Sequence, residues 1–263
     1  MPREYSVAIV GYGAVGRGIH QIFPLAVPYD PPLGIGDRAQ VNACTYAFVA
    51  VPTPTTSSGA LDAALVVESV EWIEADYIIL RSTVPMGTTD HLRESTAKRV
   101  VFQPEYGPAE TPDHPFNNLR NVRWVILGGA REDTIAVADL YKTAFNSEIS
   151  IHQTDARTAE LAKFMENSFL ATKVTFCNEF YDIAQRLGVD YNELRELWLA
   201  DPRIGRSHTF VFPDGRGFAG RCLPKDVRGI IHDARTAGAT PELLEAVLST
   251  NDRIRAGAKV HVG

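Results

Sequence analysis

The chain is 263 residues long, with 45% hydrophobic residues, 22% charged residues and a formal net charge of −6. That balance excludes a disordered, collagen-like or coiled-coil chain, and the length allows one large domain or two smaller ones. A net acidic chain lacks the dominant positive field that nucleic-acid or membrane-surface binding needs.

The three cysteines, Cys44, Cys177 and Cys222, are odd in number, far apart and free of CxxC spacing. Neither a disulfide framework nor a zinc site fits that pattern, and the scattered histidines form no HxxxH pair, so no metal is expected. The amino-terminal segment carries Glu4 and only a short apolar run, which reads as a strand rather than a signal peptide. No apolar run reaches bilayer length. The expectation is a cytoplasmic protein without membrane contact.

Residues 5–10 form a short apolar run ending at Gly11, as expected for a buried strand of a parallel sheet. Residues 14–23 read as a helix. Residues 25–29 read as a weaker strand interrupted by Pro28, which points to an edge or distorted element. Residues 44–51 form a strong strand ending in Pro-Thr-Pro. A helix is predicted over 61–74, a strand over 77–80 and a helix over 88–98. Short strands follow at 100–102, 124–127 and 149–151, with a helix over 135–145 between the last two. Residues 104–123 form a long, Pro-rich loop. Strands alternating with helices imply βαβ units, hence an α/β fold with a Rossmann-like, doubly wound, mostly parallel sheet. After residue 154 only helices are predicted: one long helix over 156–187 closed by Gly188, then 192–200, 224–237 and 241–255. The domains are accordingly 1–154 and an all-helical 155–263.

Gly11-Tyr12-Gly13-Ala14-Val15-Gly16 is a GxGxxG that follows a strand and opens a helix. Its glycines permit a tight turn and let a pyrophosphate approach the N–H groups at the helix start. Asp30 follows Gly11 by 19 residues. An acidic side chain there can accept both ribose hydroxyls and repel a 2′-phosphate, which favours NAD over NADP. The plainer alternative is a turn residue before Pro31-Pro32.

Cys222 lies in the segment GFAGRCLPKD, residues 217–226. Pro224 suits a first helical turn, and Val227, Ile230, Ile231 and Ala234 follow at helical spacing. Cys222 is thereby placed at a helix N-terminus beside Lys225, two features that favour a thiolate nucleophile. Cys44 and Cys177, inside apolar runs, read as buried and inert. Lys163 and Asn167 in Glu160-Leu-Ala-Lys-Phe-Met-Glu-Asn share one helix face and can hold an oxyanion or a water, although spacing alone describes a solvated face. Thr53, Thr83 and Glu105 close strands, where a doubly wound sheet binds its ligands, and each alone also suits a turn.

Together the segments GYGAVG, VPTP, STVPMGTT, PEY, AELAKFMENSFLATKVTFCNE, DPRIG and GFAGRCLPKD resemble, in order, the UDP-glucose/GDP-mannose dehydrogenase family. The resemblance covers most of the chain. It implies oxidation of the C6 alcohol of a nucleotide sugar, a UDP-sugar above all, to a carboxylate with two NAD⁺ and no metal, and a homodimer packed through the long helix. By the same resemblance Cys222 would be the nucleophile and Lys163 would stabilise the oxyanion. Asn167 and Asp226 would order or activate water, Thr83 would help hold it, and Glu105 would assist thioester hydrolysis. Gly220 would join Glu105, Lys163, Asn167 and Cys222 at the substrate. Gly11, Gly13, Ala14, Val15, Gly16, Asp30, Thr53 and Thr83 would line the NAD site.

The sequence departs from that pattern at four places. It ends at Gly263, short of the family's third, nucleotide-sugar-binding domain, so the expectation is a chain lacking that domain or receiving it from a partner. The segment between Gly16 and Val51 is shortened. Tyr106-Gly-Pro-Ala-Glu stands where the family has Phe-Leu-Arg-Glu-Gly, and Ala219 stands for a glycine. Arg203, Arg206, Arg216, Arg221 and Arg228 gather around the Cys segment and suit either a diphosphate grip or a charged surface. Two other functions share the layout: a two-electron dehydrogenase of a smaller hydroxy acid, and a non-catalytic NAD-binding relic.

Overall fold

The computed structural model describes residues 6–107, 121–145 and 148–258. The chain divides into two compact units, Met1–Phe164 and Met165–Gly263.

In the first unit, seven strands form one sheet: β1 (Val7–Val10), β2 (Val27–Tyr29), β3 (Tyr46–Val49), β4 (Tyr77–Leu80), β5 (Val100–Phe102), β6 (Trp124–Gly128) and β7 (Ser150–Thr154). Their order is β2-β1-β3-β4-β5-β6-β7. All neighbours are parallel except β5 and β6, which meet antiparallel at Phe102 and Gly128. An antiparallel step needs no crossover helix. β2 is the sheet's edge, which is where its Pro28 is tolerated.

The apolar runs are continuous because both faces are covered. Ile9, Phe48, Ile79 and Val101 face α1 (Ala14–Ile22) and α5 (Arg131–Phe145), where Ile19 and Tyr141 are fully buried. Burial pushes the Tyr141 phenol up to about 12. Ala8, Val49, Leu80 and Phe102 face α2 (Arg38–Asn42), α3 (Ala64–Trp72) and α4 (Thr88–Thr96). The five-residue α2 went unread in the sequence because it is short and polar, held by the Asp37 carboxylate accepting from the Gln40 N–H at 3.0 Å.

Lys98 closes α3. Its ammonium donates to the carbonyls of Val70 (2.8 Å), Glu71 (2.6 Å) and Ile73 (2.9 Å), which the helix end leaves without partners. Lys98→Met is expected to cost about 1–2 kcal/mol in a denaturant melt, because charge-assisted bonds to three carbonyls are lost together.

α6 (Ala156–Leu187) runs through the division between the units. The second unit continues with α7 (Tyr191–Trp198), α8 (Leu223–Thr236) and α9 (Glu242–Ala258). Its core joins Ala171 of α6, Phe218, Val227 and Ile231 of α8, and Val247 of α9. No helix among the described residues is long and apolar enough to cross a membrane.

Candidate active site

The strand order reverses between β1 and β3, so the connections that leave their carboxyl ends pass to opposite faces of the sheet, the place where a doubly wound sheet binds its ligands. The GxGxxG turn occupies that point. Gly11 has φ +91°, and a Cβ on it would lie 2.7 Å from the Ala50 carbonyl carbon and oxygen beyond β3. A Cβ on Gly16 would lie 2.2 Å from the Gly11 carbonyl oxygen, so this glycine lets α1 start hard against the turn. Gly13, the N-cap of α1, has no heavy atom within 4 Å of where its Cβ would be. Two glycines are therefore required by the protein's own backbone, while the third leaves open space at the start of α1, where free helix N–H groups suit an anion. Ala14 and Val15 form the first turn of α1.

Asp30 stands beside this turn, its carboxylate accepting the Tyr12 N–H at 2.8 Å. That contact fixes one carboxylate oxygen at the glycine turn. Asp30 also begins the tight Pro31–Leu33 turn, bonding through its backbone to Ile35 and Leu33.

The loops after β3 and β4 are tied to each other. The buried Thr53 hydroxyl donates to the Thr83 carbonyl at 2.7 Å, and Ser82 donates to the Val51 carbonyl at 2.6 Å. After β5, Glu105 is held on both oxygens: one pairs with Arg81, and the other accepts the N–H groups of Tyr106 (2.8 Å) and Gly107 (2.7 Å). Arg81 went unread because a charged residue at a strand end looks solvated, yet it is 2% exposed.

The α6 motif is buried, not solvated as its spacing alone describes. Glu160 is 0% exposed, Lys163 6% and Asn167 5%. The Glu160 carboxylate accepts from the N–H of Gly87 (2.6 Å) and from the N–H and hydroxyl of Thr89 (2.9 and 2.7 Å), at the start of α4. Burial still pushes its carboxyl above the ordinary range. The Lys163 ammonium lies 4.9 Å from the Tyr106 ring centroid.

In the second unit, Cys222 is the N-cap residue of α8, with Pro224 in the first turn and no capping bond from the thiol. It is the only cysteine that is not buried, whereas burial pushes the thiols of Cys44 and Cys177 upward. One turn into α8, Asp226 is 1% exposed; it accepts the Asn167 amide at 2.5 Å and the Lys225 ammonium at 2.6 Å. Lys225, read from the sequence as the thiol's neighbour, thus has a carboxylate partner.

The backbone before Cys222 takes left-handed values at Gly217 (φ +72°) and Gly220 (φ +83°). Asn178 of α6 accepts the Gly217 N–H at 3.0 Å, and Asn251 of α9 accepts the Phe218 N–H at 2.7 Å and donates to its carbonyl at 3.0 Å. Asn251 was missed in the sequence; its only signal is a polar residue on the inward face of a helix. Of the arginines near this segment, Arg203, Arg206 and Arg228 pair with Asp201, Glu196 and Asp252, while the largely buried Arg216 pairs with Asp182 and donates to Asn178.

Residues 36–145 match the NAD binding domain of the UDP-glucose/GDP-mannose dehydrogenase family, and residues 157–253 match its central domain. The chain belongs to that family. NAD is its cofactor. The UDP-glucose 6-dehydrogenase YwqF of Bacillus subtilis is 30% identical over 222 residues, 80% of this chain and 49% of the relative. The UDP-glucose 6-dehydrogenase of Pseudomonas aeruginosa is 30% identical over 78% of this chain and 48% of its own length. The chain thus spans about half the length of the curated relatives it matches. Among solved structures, a UDP-glucose dehydrogenase from Pyrobaculum islandicum superposes with a TM-score of 0.78 at 24% identity, over 96% of this chain and 70% of that one. A 3-hydroxyisobutyrate dehydrogenase from Mycobacterium tuberculosis shares the fold at a TM-score of 0.68 and 15% identity, over 96% and 94%.

Proposed function

We propose that the protein oxidises the C6 alcohol of a nucleotide sugar, a UDP-sugar above all, to the carboxylate through a covalent intermediate on Cys222. The observation that carries this reading is the setting of Cys222: a cysteine not buried, at the N-cap position of α8, whose first turn carries the buried Asp226 that accepts from Asn167 of α6. A simple alcohol oxidation has no use for such a thiol, whereas a four-electron oxidation gains from holding the aldehyde.

The dinucleotide supplies the hydride acceptor for each of the two oxidations. The chain's residues do the rest. The C6 alcohol loses a hydride to that acceptor and its hydroxyl proton to leave an aldehyde; the Cys222 thiolate then adds to the aldehyde carbon, and the carbonyl oxygen takes a proton to give a thiohemiacetal. Loss of hydride and of the hydroxyl proton leaves a thioester. Water adds to its carbonyl, the C–S bond breaks, and the carboxylic acid and free thiol are released. In this reading Lys163 supplies the positive charge for the oxyanion, and Asn167 and Asp226 order the water. Thr53 and Thr83 shape the dinucleotide's side, with Thr83 also helping to hold that water. Glu105, whose oxygens are already engaged, serves hydrolysis through the loop it fixes. Gly220 gives the backbone leading to Cys222 its left-handed path.

The same reading includes a homodimer through α6, which leaves Met165, Phe169, Phe180 and Leu187 at 75%, 63%, 40% and 72% exposure. The runner-up, a single oxidation of a smaller hydroxy acid, draws on the fold shared with the hydroxyisobutyrate enzyme. Incubation of a panel of UDP-, GDP- and TDP-sugars with NAD⁺ separates the two. The expected yield is two NADH per sugar consumed; one NADH per molecule of substrate would overturn the proposal.

A further inference from the structure

Arg81 ends β4 with its side chain 1% exposed. Its guanidinium crosses to the end of β5, donating to the carbonyls of Gln103 (3.4 Å) and Pro104 (3.1 Å) and pairing with the Glu105 carboxylate. The other Glu105 oxygen takes the next two backbone N–H groups. Tyr141 fixes the same segment from below, its hydroxyl donating to Gln103 Oε1 at 2.7 Å. All of these bonds immobilise residues 103–107.

What that segment presents is the ring of Tyr106, which packs against Trp124 with centroids 4.7 Å apart and faces the Lys163 ammonium. A buried ion pair is at best a weak source of stability, because desolvating the guanidinium offsets the attraction. Stability alone is thus a poor account of a guanidinium placed here. We propose that Arg81 is a positioning residue for Lys163, acting through Glu105 and the Tyr106 ring. The proposal rests on the role given to Lys163 in the proposed function. It adds that the ammonium is aimed by a residue that touches neither substrate nor cofactor.

Two readouts on the full chain test it, using Arg81→Met and Arg81→Lys. The first needs no turnover. Trace labelling of amines with acetic anhydride is read by mass spectrometry at Lys163, at the exposed Lys142, and at Lys98 beneath its three carbonyls. Arg81→Met is expected to raise Lys163 labelling about fivefold relative to Lys142, with Lys98 unchanged and Arg81→Lys falling between. Unchanged labelling at Lys163 overturns the proposal. So does a parallel rise at Lys98, which would mean that Arg81 merely holds the unit together. The second readout is a double-mutant cycle. Arg81→Met is expected to lower kcat about tenfold or more with the KM for NAD⁺ little changed, and to add nothing once Lys163 is replaced by Met. Independent, additive losses would sever the link to Lys163. If no nucleotide sugar is turned over, the functional reading fails while the labelling result still decides the positioning claim.

Discussion

Cys222→Ala is expected to lower nucleotide-sugar turnover about 10³-fold or more while leaving the melting curve almost in place. The fall equals roughly 4 kcal/mol of lost transition-state stabilisation at 1.36 kcal/mol per decade. The fold should tolerate the change because the thiol makes no capping bond, α8 keeps Pro224 in its first turn, and the side chain is not packed in a core. Cys177→Ala should behave in the opposite way. That residue is 1% exposed among Ala184 and Tyr191, so its loss leaves a small void costing about 1–2 kcal/mol, with turnover per folded molecule retained. The two variants together separate a thiol used in chemistry from a thiol used as a small hydrophobe. NADH release followed at 340 nm (the usual window for that product) and thermal melts supply the numbers. Full turnover by Cys222→Ala, still with two NADH per sugar, would remove the covalent route altogether.

The sheet could be read from the sequence because its strands are covered on both faces. A run such as residues 44–51 has no alternation to blur, and the Pro-Thr-Pro that follows marks its end. The antiparallel step between β5 and β6 was not legible, since direction depends on the connection and not on the strands. The candidate site was legible only in part, and the division has a physical cause. The glycines and Cys222 signal through local backbone demands, which are written in adjacent residues. Lys163 and Asn167 do not: their burial depends on partners far away in sequence, such as Asp226, 59 residues beyond Asn167. The same holds for Glu160, which meets Gly87 and Thr89 across more than 70 residues, and for Arg81, whose carboxylate lies 24 residues downstream. Helical spacing can place such residues on one face but cannot say what covers that face.

Gly13 and Gly16 are expected to separate folding from dinucleotide binding. In Gly16→Ala the new methyl would sit 2.2 Å from the Gly11 carbonyl oxygen and 3.1 Å from Ile9 Cγ2. A backbone oxygen cannot swing aside as a flexible side chain can, so α1 must shift off the turn. Overpacking of this kind costs about 1–3 kcal/mol, roughly 2–10 °C in melting temperature for a chain of this size. NAD binding should weaken with it, because the displaced helix start carries the N–H groups that the pyrophosphate needs. In Gly13→Ala the methyl meets nothing, and φ at this residue is −75°, which alanine adopts without strain. The melt should stay within a few degrees of the parent, the residual loss being the poorer capping preference of alanine. Its NAD affinity should nevertheless fall about tenfold or more, because the methyl fills the space through which the pyrophosphate reaches the helix start. Calorimetric titration with NAD, alongside melts with and without the dinucleotide, measures both effects. A Gly13→Ala chain that binds NAD as tightly as the parent would place the pyrophosphate somewhere other than this turn. The open space at Gly13 would then have to be explained by something other than the cofactor.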